Sequence, residues 1–278
     1  MVESAFPQWA GLALHPLGSS GTDHLLFRLG SDMVVRIPGT GGVARHVAYQ
    51  AVWLERFDGL SLQVPRVLGV GEPNEDCPYH WSVLTWIDGE DAAVAQVADW
   101  GAAAVALGRF VAQLRTFETA GGLPSDRSNA LRGAPLRRLD GWMRGAIGAL
   151  ADIYEPQALL AHWEEALAAP EWREPPVWVH GDLHPANIIL CAGHITGVID
   201  FGLASLGDPA CDLAPAWTFL PAAQRQAFRE SAGLDSAAWR RGKGWGLYCG
   251  VIALAHHGER NPVLARMARR AIAAVLDS

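Results

Sequence analysis

Three polar side chains in the C-terminal half of this chain have the types and the spacing that phosphoryl transfer requires. Residues 180–187 read HGDLHPAN, which places Asp182 five residues before Asn187, and Asp200 opens an Asp-Phe-Gly sequence farther along. An acceptor hydroxyl needs a carboxylate that orients it and accepts its proton, and a nucleoside triphosphate needs Mg2+ held by hard oxygen ligands. We therefore predict Asp182 as the catalytic base and Asn187 and Asp200 as ligands of Mg2+.

The residues between these two motifs predict how Asn187 and Asp200 come together. Two short apolar runs, residues 187–191 and 194–199, flank Ala192-Gly193, a pattern that is typical of a tight β-hairpin. A hairpin folds the chain back on itself, so that Asn187 at its start and Asp200 at its end should lie side by side. The spacing therefore predicts that both side chains hold the same ion.

The elements that must position these residues follow from the hydrophobic pattern. A helix is predicted over residues 43–57, and strands are predicted over residues 24–29, 33–37, 67–70 and 81–86. After Gly89 the pattern becomes helical, over residues 92–119, 155–169, 221–231, 237–257 and 262–276. We expect an α+β protein with two lobes: a small antiparallel sheet in residues 1–87, which binds the nucleotide, and mostly helices in residues 88–278, which carry the catalytic loop and bind the acceptor.

These residues resemble the aminoglycoside phosphotransferase family, whose relatives include macrolide phosphotransferases and choline-kinase-like enzymes and whose fold is protein-kinase-like. The resemblance rests on residues 180–187, on Asp200 and on residues 207–213, which read GDPACDL. It implies that Asp182 is the catalytic base, that Asn187 and Asp200 hold magnesium, and that Asp212 braces the catalytic loop. It covers most of the chain, and is strongest over residues 177–217 and weakest over residues 121–176.

Arg36 occupies the strand position at which kinases carry a phosphate-binding lysine. The only lysine of the chain is Lys243, and some macrolide phosphotransferases of the family have a similar Val-Leu-Arg pattern. An Arg fork can contact two phosphate oxygens, so the charge is kept while the geometry changes. The resemblance places Gln50 where the family often has the Glu that holds this cation, and Gln50 would give a hydrogen bond and not a salt bridge. Glu55 is the second possibility.

Two further segments are expected to hold the nucleotide. Residues 18–22 read GSSGT, and backbone N–H groups of this small-residue turn, with Ser20 and Gly21 at its centre, could cover the phosphates. Residues 84–89 resemble the hinge between the lobes of the family, where backbone groups near Trp86 and Ile87 would meet the adenine edge and Thr85 or Leu84 would limit the depth of the pocket. The co-substrate is ATP or GTP, and these residues do not choose between the two.

Composition excludes several classes of partner. A net charge of −7 argues against general affinity for nucleic acid or for anionic membranes, and it is compatible with a cationic substrate. The four cysteines are scattered without Cys-x-x-Cys spacing, as expected for reduced thiols in a cytosolic protein. No secretory leader pattern is visible at the start, and residues 245–255 are too short and too rich in glycine to cross a bilayer. We therefore predict a cytoplasmic protein without a nucleic-acid or membrane partner.

The acceptor is expected to be a small hydroxylated molecule, because family members phosphorylate unrelated alcohols with nearly the same loop. The favoured acceptor is a cationic antibiotic of the aminoglycoside type; the alternatives are a macrolide, a sugar or amino-alcohol metabolite, or a nucleotide-binding pseudokinase without turnover. Candidate acceptor-binding residues on the C-terminal helices are Asp208, Trp217, Tyr248, His256 and Glu259, although Asp208 is better explained as structural and Trp217 and Tyr248 as core residues. Four acidic residues could attract a cation, but they are better explained as a solvated helix face: Asp152, Glu155, Glu164 and Glu165. Structural roles are predicted for His180 and His184.

Overall fold

The N-terminal part of the computed structural model is built on an antiparallel sheet. The structure describes residues 1–18, 24–75, 77–258 and 261–278. The strands of this part are β1 (Leu14–Pro16), β2 (His24–Leu29), β3 (Met33–Pro38), β4 (Val67–Gly71) and β5 (Trp81–Thr85). They form one sheet in the order β1-β2-β3-β5-β4, in which every neighbouring pair is antiparallel. The four predicted strands are therefore confirmed to within a residue, and β1 was not predicted.

Alternation along β3 decides which of its side chains reach the cleft below the sheet. Val35 is fully buried opposite Val83 of β5, in an apolar cluster on one face of the sheet. Successive side chains of a strand point to opposite faces, and Arg36 therefore lies on the other face. That face lines the cleft, where Arg36 and Val34 are neighbours.

The helix that follows β3 packs its C-terminal end into the main hydrophobic core, which sets its position. The helices of the N-terminal part are α1 (Val2–Ala5) and α2 (Gly41–Leu54). The Trp53 ring of α2 lies 4.7 Å from the Trp178 ring, and Phe57, just after the helix, lies 5.7 Å from the Phe201 ring. Because the end of α2 is anchored in this core, Gln50 is held one turn earlier, next to β3.

The C-terminal part consists mainly of helices packed around a central one. They are α3 (Trp100–Leu114), α4 (Asp140–Ala149), α5 (Pro156–Ala168), α6 (Pro215–Thr218), α7 (Arg225–Ala232), α8 (Ser236–His257) and α9 (Pro262–Leu276). Helix α8 contacts α4, α5, α6 and α9. The helix predicted over residues 92–119 is shorter than expected, because the Asp99 carboxylate accepts the Ala102 N–H at 3.0 Å and caps a helix that begins at Trp100. Helix α4 was missed.

The predicted catalytic hairpin is present within the helical part. The two strands of the hairpin, β8 (Ile188–Cys191) and β9 (His194–Val198), form one small sheet with β6 (Glu90–Asp91). A second small sheet pairs β7 (Val177–Val179) with β10 (Ser205–Gly207). Ala192 and Gly193 both have positive φ, 49° and 79°, as a two-residue hairpin turn of this type requires. The Ile199 N–H donates to the Asn187 carbonyl at 2.9 Å, so that the two ends of the hairpin are adjacent.

The boundary between the two lobes, which the sequence analysis places between residues 87 and 88, remains a prediction. The large sheet ends at Thr85, and β6 already pairs with β8 of the catalytic hairpin. Gly89, between them, has φ +134°, and a side chain there would come within 2.3 Å of the Leu190 carbonyl oxygen. Among the described helices, none is long and apolar enough to cross a membrane.

A buried ion pair ties the segment after β10 to the central helix. Asp208 accepts from Arg241 Nε at 2.6 Å and from Nη2 at 3.0 Å, and both residues are at most 5% exposed. Asp208 also accepts the Ala210 N–H at 3.0 Å, while Arg241 Nη1 donates to the Pro170 carbonyl. Asp208 therefore has a structural role and does not line the cleft as an acceptor-binding residue.

Replacing Asp208 with Ala is expected to lower the free energy of unfolding by about 3–5 kcal/mol, because Arg241 would keep a buried charge without a partner. Urea denaturation followed by tryptophan fluorescence measures this change. The control is Glu164→Ala, which breaks the exposed pair with Arg144 and should change the free energy by less than about 1 kcal/mol. Equal effects of the two substitutions would contradict the structural role of Asp208.

Candidate active site

The catalytic loop between β7 and β8 is braced from below by Asp212. This carboxylate is 2% exposed and accepts the N–H groups of His180, at 2.6 Å, and Gly181, at 2.9 Å. Burial raises the pKa of Asp212, and the two N–H donors only partly offset this rise. The brace that the family resemblance implies is therefore visible in the backbone hydrogen bonds of the loop.

His180 and His184 both support the loop through hydrogen bonds. His180 is fully buried, its Nδ1 accepts the Asp182 N–H at 3.1 Å, and its Nε2 lies 3.0 Å from the Ile199 carbonyl. Its Nε2 must therefore carry the proton, since a carbonyl only accepts. His184 Nδ1 accepts the Ala186 N–H at 3.2 Å and caps the turn that leads to β8. These contacts agree with structural roles, although His184 also faces the base.

Asp182 lies at the centre of the cleft with polar groups at both carboxylate oxygens. Oδ1 is 3.5 Å from Arg132 Nη2, while Oδ2 is 3.5 Å from His184 Nε2 and 3.3 Å from Asn187 Nδ2. Burial alone would raise the pKa of Asp182, but His184 and Arg132 hold this pKa well below its ordinary value. The group is therefore a carboxylate at neutral pH, with an orientation set from two sides.

Asn187 and Asp200 present oxygen atoms that fit a magnesium ion. Asn187 Nδ2 donates to the Asp182 carbonyl at 2.9 Å, so that the Asn187 Oδ1 is left as the acceptor of the amide. Asp200 has φ +63°, and its Oδ1 accepts the Gly202 N–H at 3.2 Å. Mg2+ is usually held by one or two such oxygen ligands and completed by water and substrate phosphates. Among the described residues, no group of three or more His, Cys, Asp or Glu is arranged to hold a metal.

Arg36 connects the strand, the helix and the predicted metal ligand. Its Nη1 donates to Gln50 Oε1 at 3.3 Å, and its Nη2 contacts Asp200 Oδ1 and lies 3.2 Å from His24 Nδ1. The predicted hydrogen bond to Gln50 is present, whereas Glu55 is exposed at the end of α2. Burial opposes ionisation of Asp200, but the Arg36 charge holds the pKa of Asp200 below its ordinary value.

The three predicted hinge residues, Thr85, Trp86 and Ile87, all line the cleft. The Trp86 N–H already donates to the Asp32 carbonyl at 2.7 Å, and Thr85 Oγ1 accepts the Arg66 N–H at 2.9 Å. The Trp86 N–H is therefore used within the N-terminal part and is not available to a purine edge. The predicted phosphate-covering residues Ser20 and Gly21 lie outside the described residues.

The acceptor side of the cleft is lined mainly by apolar side chains. The whole cleft has a volume of about 660 Å³. Its apolar lining beyond Asp182 comes from Leu203, Ala214, Tyr248, Ile252, Ala253, Leu264, Met267, Ala268 and Ala271. The polar lining there comes from Arg132, Thr218, Cys249 and His257. Among the described residues, the carboxylates that line the cleft are those of Glu90, Asp91, Asp182 and Asp200, and Asp91 Oδ1 accepts the Ala93 N–H at 3.0 Å.

Of the residues predicted to bind the acceptor, only some of the described ones line the cleft. Tyr248 lines the cleft, but Trp217 is buried outside it, and His257 lines it in place of the exposed His256. Glu259 lies outside the described residues. The four acidic residues considered for a cation, Asp152, Glu155, Glu164 and Glu165, are exposed and do not line the cleft.

Arg132 is the residue of this site that the sequence analysis missed. It lies between α3 and α4, in the segment where the family resemblance is weakest, and it reaches Asp182 only through the fold. No spacing signal in the sequence connects the two residues. A lone Arg in a connecting segment is most often solvated.

Comparison with known sequences places most of the chain in one family. Residues 16–245 match the model of the phosphotransferase enzyme family, APH. No functionally curated sequence matches the chain significantly. The match therefore rests on a family pattern that includes the strands, the catalytic loop and the start of α8.

Similar solved structures share the fold across the whole chain. The GDP and kanamycin complex of APH(2")-IIia is 18% identical with a TM-score of 0.73, covering 100% of this chain and 98% of that one. The macrolide 2'-phosphotransferase MphH from Brachybacterium faecium is 22% identical with a TM-score of 0.63, covering 98% of both chains. A thermostable mutant of APH(4)-Ia with AMP-PNP and hygromycin B is 19% identical with a TM-score of 0.62, covering 99% and 96%. The kinase-like α+β fold is thereby confirmed.

Proposed function

Because the chain belongs to the phosphotransferase enzyme family, we propose that it moves the γ-phosphoryl group of ATP or GTP to a hydroxyl of a small molecule in a Mg2+-dependent reaction. The observation that carries this proposal is the convergence of Asp182, Asn187 and Asp200 in one cleft. Asn187 contacts Asp182 directly, and the hairpin brings Asp200 to Asn187. A pseudokinase has no chemical need to keep all three groups, so the proposal favours turnover.

In the proposed reaction, the acceptor oxygen forms a bond to the γ-phosphorus, and the bond to the oxygen that bridges to the β-phosphate breaks. The nucleoside diphosphate leaves, and the proton of the hydroxyl goes to Asp182. The lowered pKa makes Asp182 a weak base, so its larger contribution is to orient the hydroxyl, which suits a loose transition state. Mg2+ bound to Asn187 and Asp200 would neutralise charge on the β- and γ-phosphate oxygens.

Arg36 is proposed to bind the nucleotide phosphates while Gln50 holds its guanidinium in place. Replacing Arg36 with Lys should weaken nucleotide binding about tenfold or more, because charge-assisted hydrogen bonds are worth roughly 1.5–3 kcal/mol each and the fork is lost. Replacing it with Met should weaken binding further. Calorimetric titration with Mg-ATP and Mg-GTP measures both changes.

The matched control for this prediction is Arg66→Lys. Arg66 is exposed, outside the cleft, and pairs with Asp58 at 3.1 Å, so its replacement should leave nucleotide affinity unchanged. Wild-type affinity in Arg36→Lys and Arg36→Met would remove Arg36 from the phosphate site.

The lining of the cleft supports an acceptor with a large apolar face, such as a macrolide, which was the alternative in the sequence analysis. The cleft-lining side chains of α8 and α9 are mainly apolar, Arg132 adds a cation, and no described residue of α8 or α9 contributes a carboxylate to the lining. An acceptor whose ammonium groups lie against α8 and α9 would lose water around charges that this wall does not pair, at a cost of several kcal/mol per unpaired ion. An aminoglycoside remains the second candidate, because structural neighbours hold kanamycin and hygromycin B.

The acceptor proposal is tested with purified protein, Mg-ATP or Mg-GTP, and four classes of alcohol. Macrolides, aminoglycosides, sugars and amino alcohols are incubated separately, and mass spectrometry detects a product heavier by one phosphoryl group. Product from macrolides alone would support the proposal, and product from aminoglycosides would select the second candidate. Product from a metabolite alone would overturn the antibiotic assignment, and nucleotide binding without any product would favour a pseudokinase. A cytoplasmic location, where triphosphates are made, stays part of the proposal.

A further inference from the structure

The backbone that delivers Arg132 to the cleft has an uncommon conformation. Ala130 and Leu131 have φ of 54° and 58°, and Gly133 has φ 77°. A left-handed conformation costs an L-residue about 1–2 kcal/mol, so two in succession must be held by their surroundings. Leu131 is 3% exposed in the main core, and the Asp208 N–H donates to the Gly133 carbonyl at 2.7 Å. Backbone strain of this kind is concentrated at functional sites.

The guanidinium of Arg132 is largely buried, but its hydrogen-bond donors are only partly satisfied. Its side chain is 15% exposed, Nη1 donates to Cys249 Sγ at 3.1 Å, and Nη2 lies 3.5 Å from Asp182 Oδ1. Its Nε has no hydrogen-bond partner among the described residues. In the structural Arg241, by contrast, all three nitrogens donate, to Asp208 and to the Pro170 carbonyl. An Arg kept only for stability would be expected to satisfy its donors in the same way.

The backbone around Arg132 is fixed closely against the catalytic loop. Ser205 Oγ donates to the Arg132 carbonyl at 2.8 Å. A Cβ at Gly181, which has φ +79° directly before Asp182, would come within 2.9 Å of the Arg132 Cβ. The catalytic loop can approach residues 130–133 this closely only because Gly181 has no side chain. This close approach places the Arg132 guanidinium next to the Asp182 carboxylate.

We propose that Arg132 is a positioning residue for phosphoryl transfer, which holds Oδ1 of Asp182 and turns the carboxylate toward the acceptor hydroxyl while Cys249 holds the guanidinium. Asn187 and His184 hold the other oxygen, Oδ2, so that the carboxylate is fixed from both sides. A misplacement of about 1 Å at a reacting group can cost roughly 10²-fold in rate. This inference rests on the proposed role of Asp182 as the base.

A double-mutant cycle tests whether Arg132 acts through Asp182. The variants Arg132→Met, Asp182→Asn and their combination are compared with the wild type by phosphate release from Mg-ATP, with water as the acceptor. Arg132→Met should lower kcat about 10²-fold and leave the KM for Mg-ATP unchanged. The double variant should be no slower than Asp182→Asn alone, because the carboxylate through which Arg132 acts is already gone.

Each outcome of the cycle separates this inference from the proposed function. If the two losses multiply in the double variant, Arg132 acts independently of Asp182 and the inference fails while the proposed function stands. If Asp182→Asn turns over like the wild type, or the wild type neither hydrolyses nor transfers, the proposed function itself fails, and the inference with it.

A conservative variant keeps the test valid if Arg132→Met does not fold. Arg132→Lys retains a charge but only one donor group, and it should restore part of the rate, to about tenfold below the wild type. Full wild-type kcat in folded Arg132→Lys would overturn the inference. The matched control is Arg138→Met on the same connecting segment, since Arg138 is exposed and its Nη1 donates to the Ser125 carbonyl, away from Asp182. The kcat of this variant should equal that of the wild type.

Discussion

Replacing Asp182 with Asn is expected to lower kcat about 10²–10⁴-fold, the usual contribution of a positioned proton acceptor. Asn keeps the size and shape of the side chain, so the loop, the Asp212 brace and the nucleotide side of the cleft should be retained. The amide, however, neither accepts the hydroxyl proton nor attracts Arg132. Nucleotide affinity should therefore remain close to that of the wild type while turnover is lost.

Steady-state kinetics and calorimetric titration of Mg-ATP together measure this separation of turnover from binding. Asp152→Asn makes the same chemical change at an exposed position and should leave both quantities unaltered. Urea denaturation of Asp182→Asn is also needed, because Arg132 loses its charged neighbour and some stability should be lost with it. Near-normal turnover in a folded Asp182→Asn protein would show that another group orients the acceptor.

Replacing Asp200 with Asn is expected to lower kcat about 10²–10³-fold, the loss typical of removing one preorganised group that stabilises transition-state charge. The structure gives a second reason for a large effect. Asp200 Oδ1 contacts Arg36 in this structure, so its removal affects both the predicted metal site and the phosphate-binding cation. The Mg2+ concentration needed for half-maximal activity should rise, because a carboxylate ligand is replaced by a neutral amide.

Two measurements check the Asp200 prediction without relying on rate alone. Titration of activity with Mg2+ gives the apparent metal affinity, and nucleotide binding with and without Mg2+ shows how far the metal contributes to it. In the wild type, Mg2+ should strengthen nucleotide binding, and in Asp200→Asn this gain should be reduced. An unchanged gain would place the metal elsewhere, and Asp152→Asn is again the matched control.

The two substitutions remove carboxylates with different proposed roles. Asp182→Asn removes the group that we propose faces the acceptor, and Asp200→Asn removes a group that we propose faces the phosphates. The first should therefore act on kcat with little effect on nucleotide binding, and the second should act on both. The same distinction applies to Arg36, whose replacement should act mainly on binding.

Much of the site was predictable because its central residues are connected by local structure. Asp182, Asn187 and Asp200 fall within one loop and one hairpin, and a short turn with alternating apolar runs sets how their ends meet. Four of the five strands of the N-terminal sheet, and α9, were predicted nearly to the residue for the same reason, since periodicity and turn residues are local signals. The start of α3 was predicted too early because the apolar pattern begins before Asp99, whose capping hydrogen bond starts the helix at Trp100.

The sequence by itself determined the type of chemistry, because base and metal ligands are recognised from residue type and short spacing. Only the tertiary structure decided which residues surround that chemistry. It selected Gln50 over Glu55 as the partner of Arg36, brought Arg132 to Asp182 from a distant segment, and lined the acceptor side with apolar residues of α8 and α9. Such contacts depend on how helices and strands pack across long separations in sequence, and packing leaves no periodic or spacing signal that a single sequence could show.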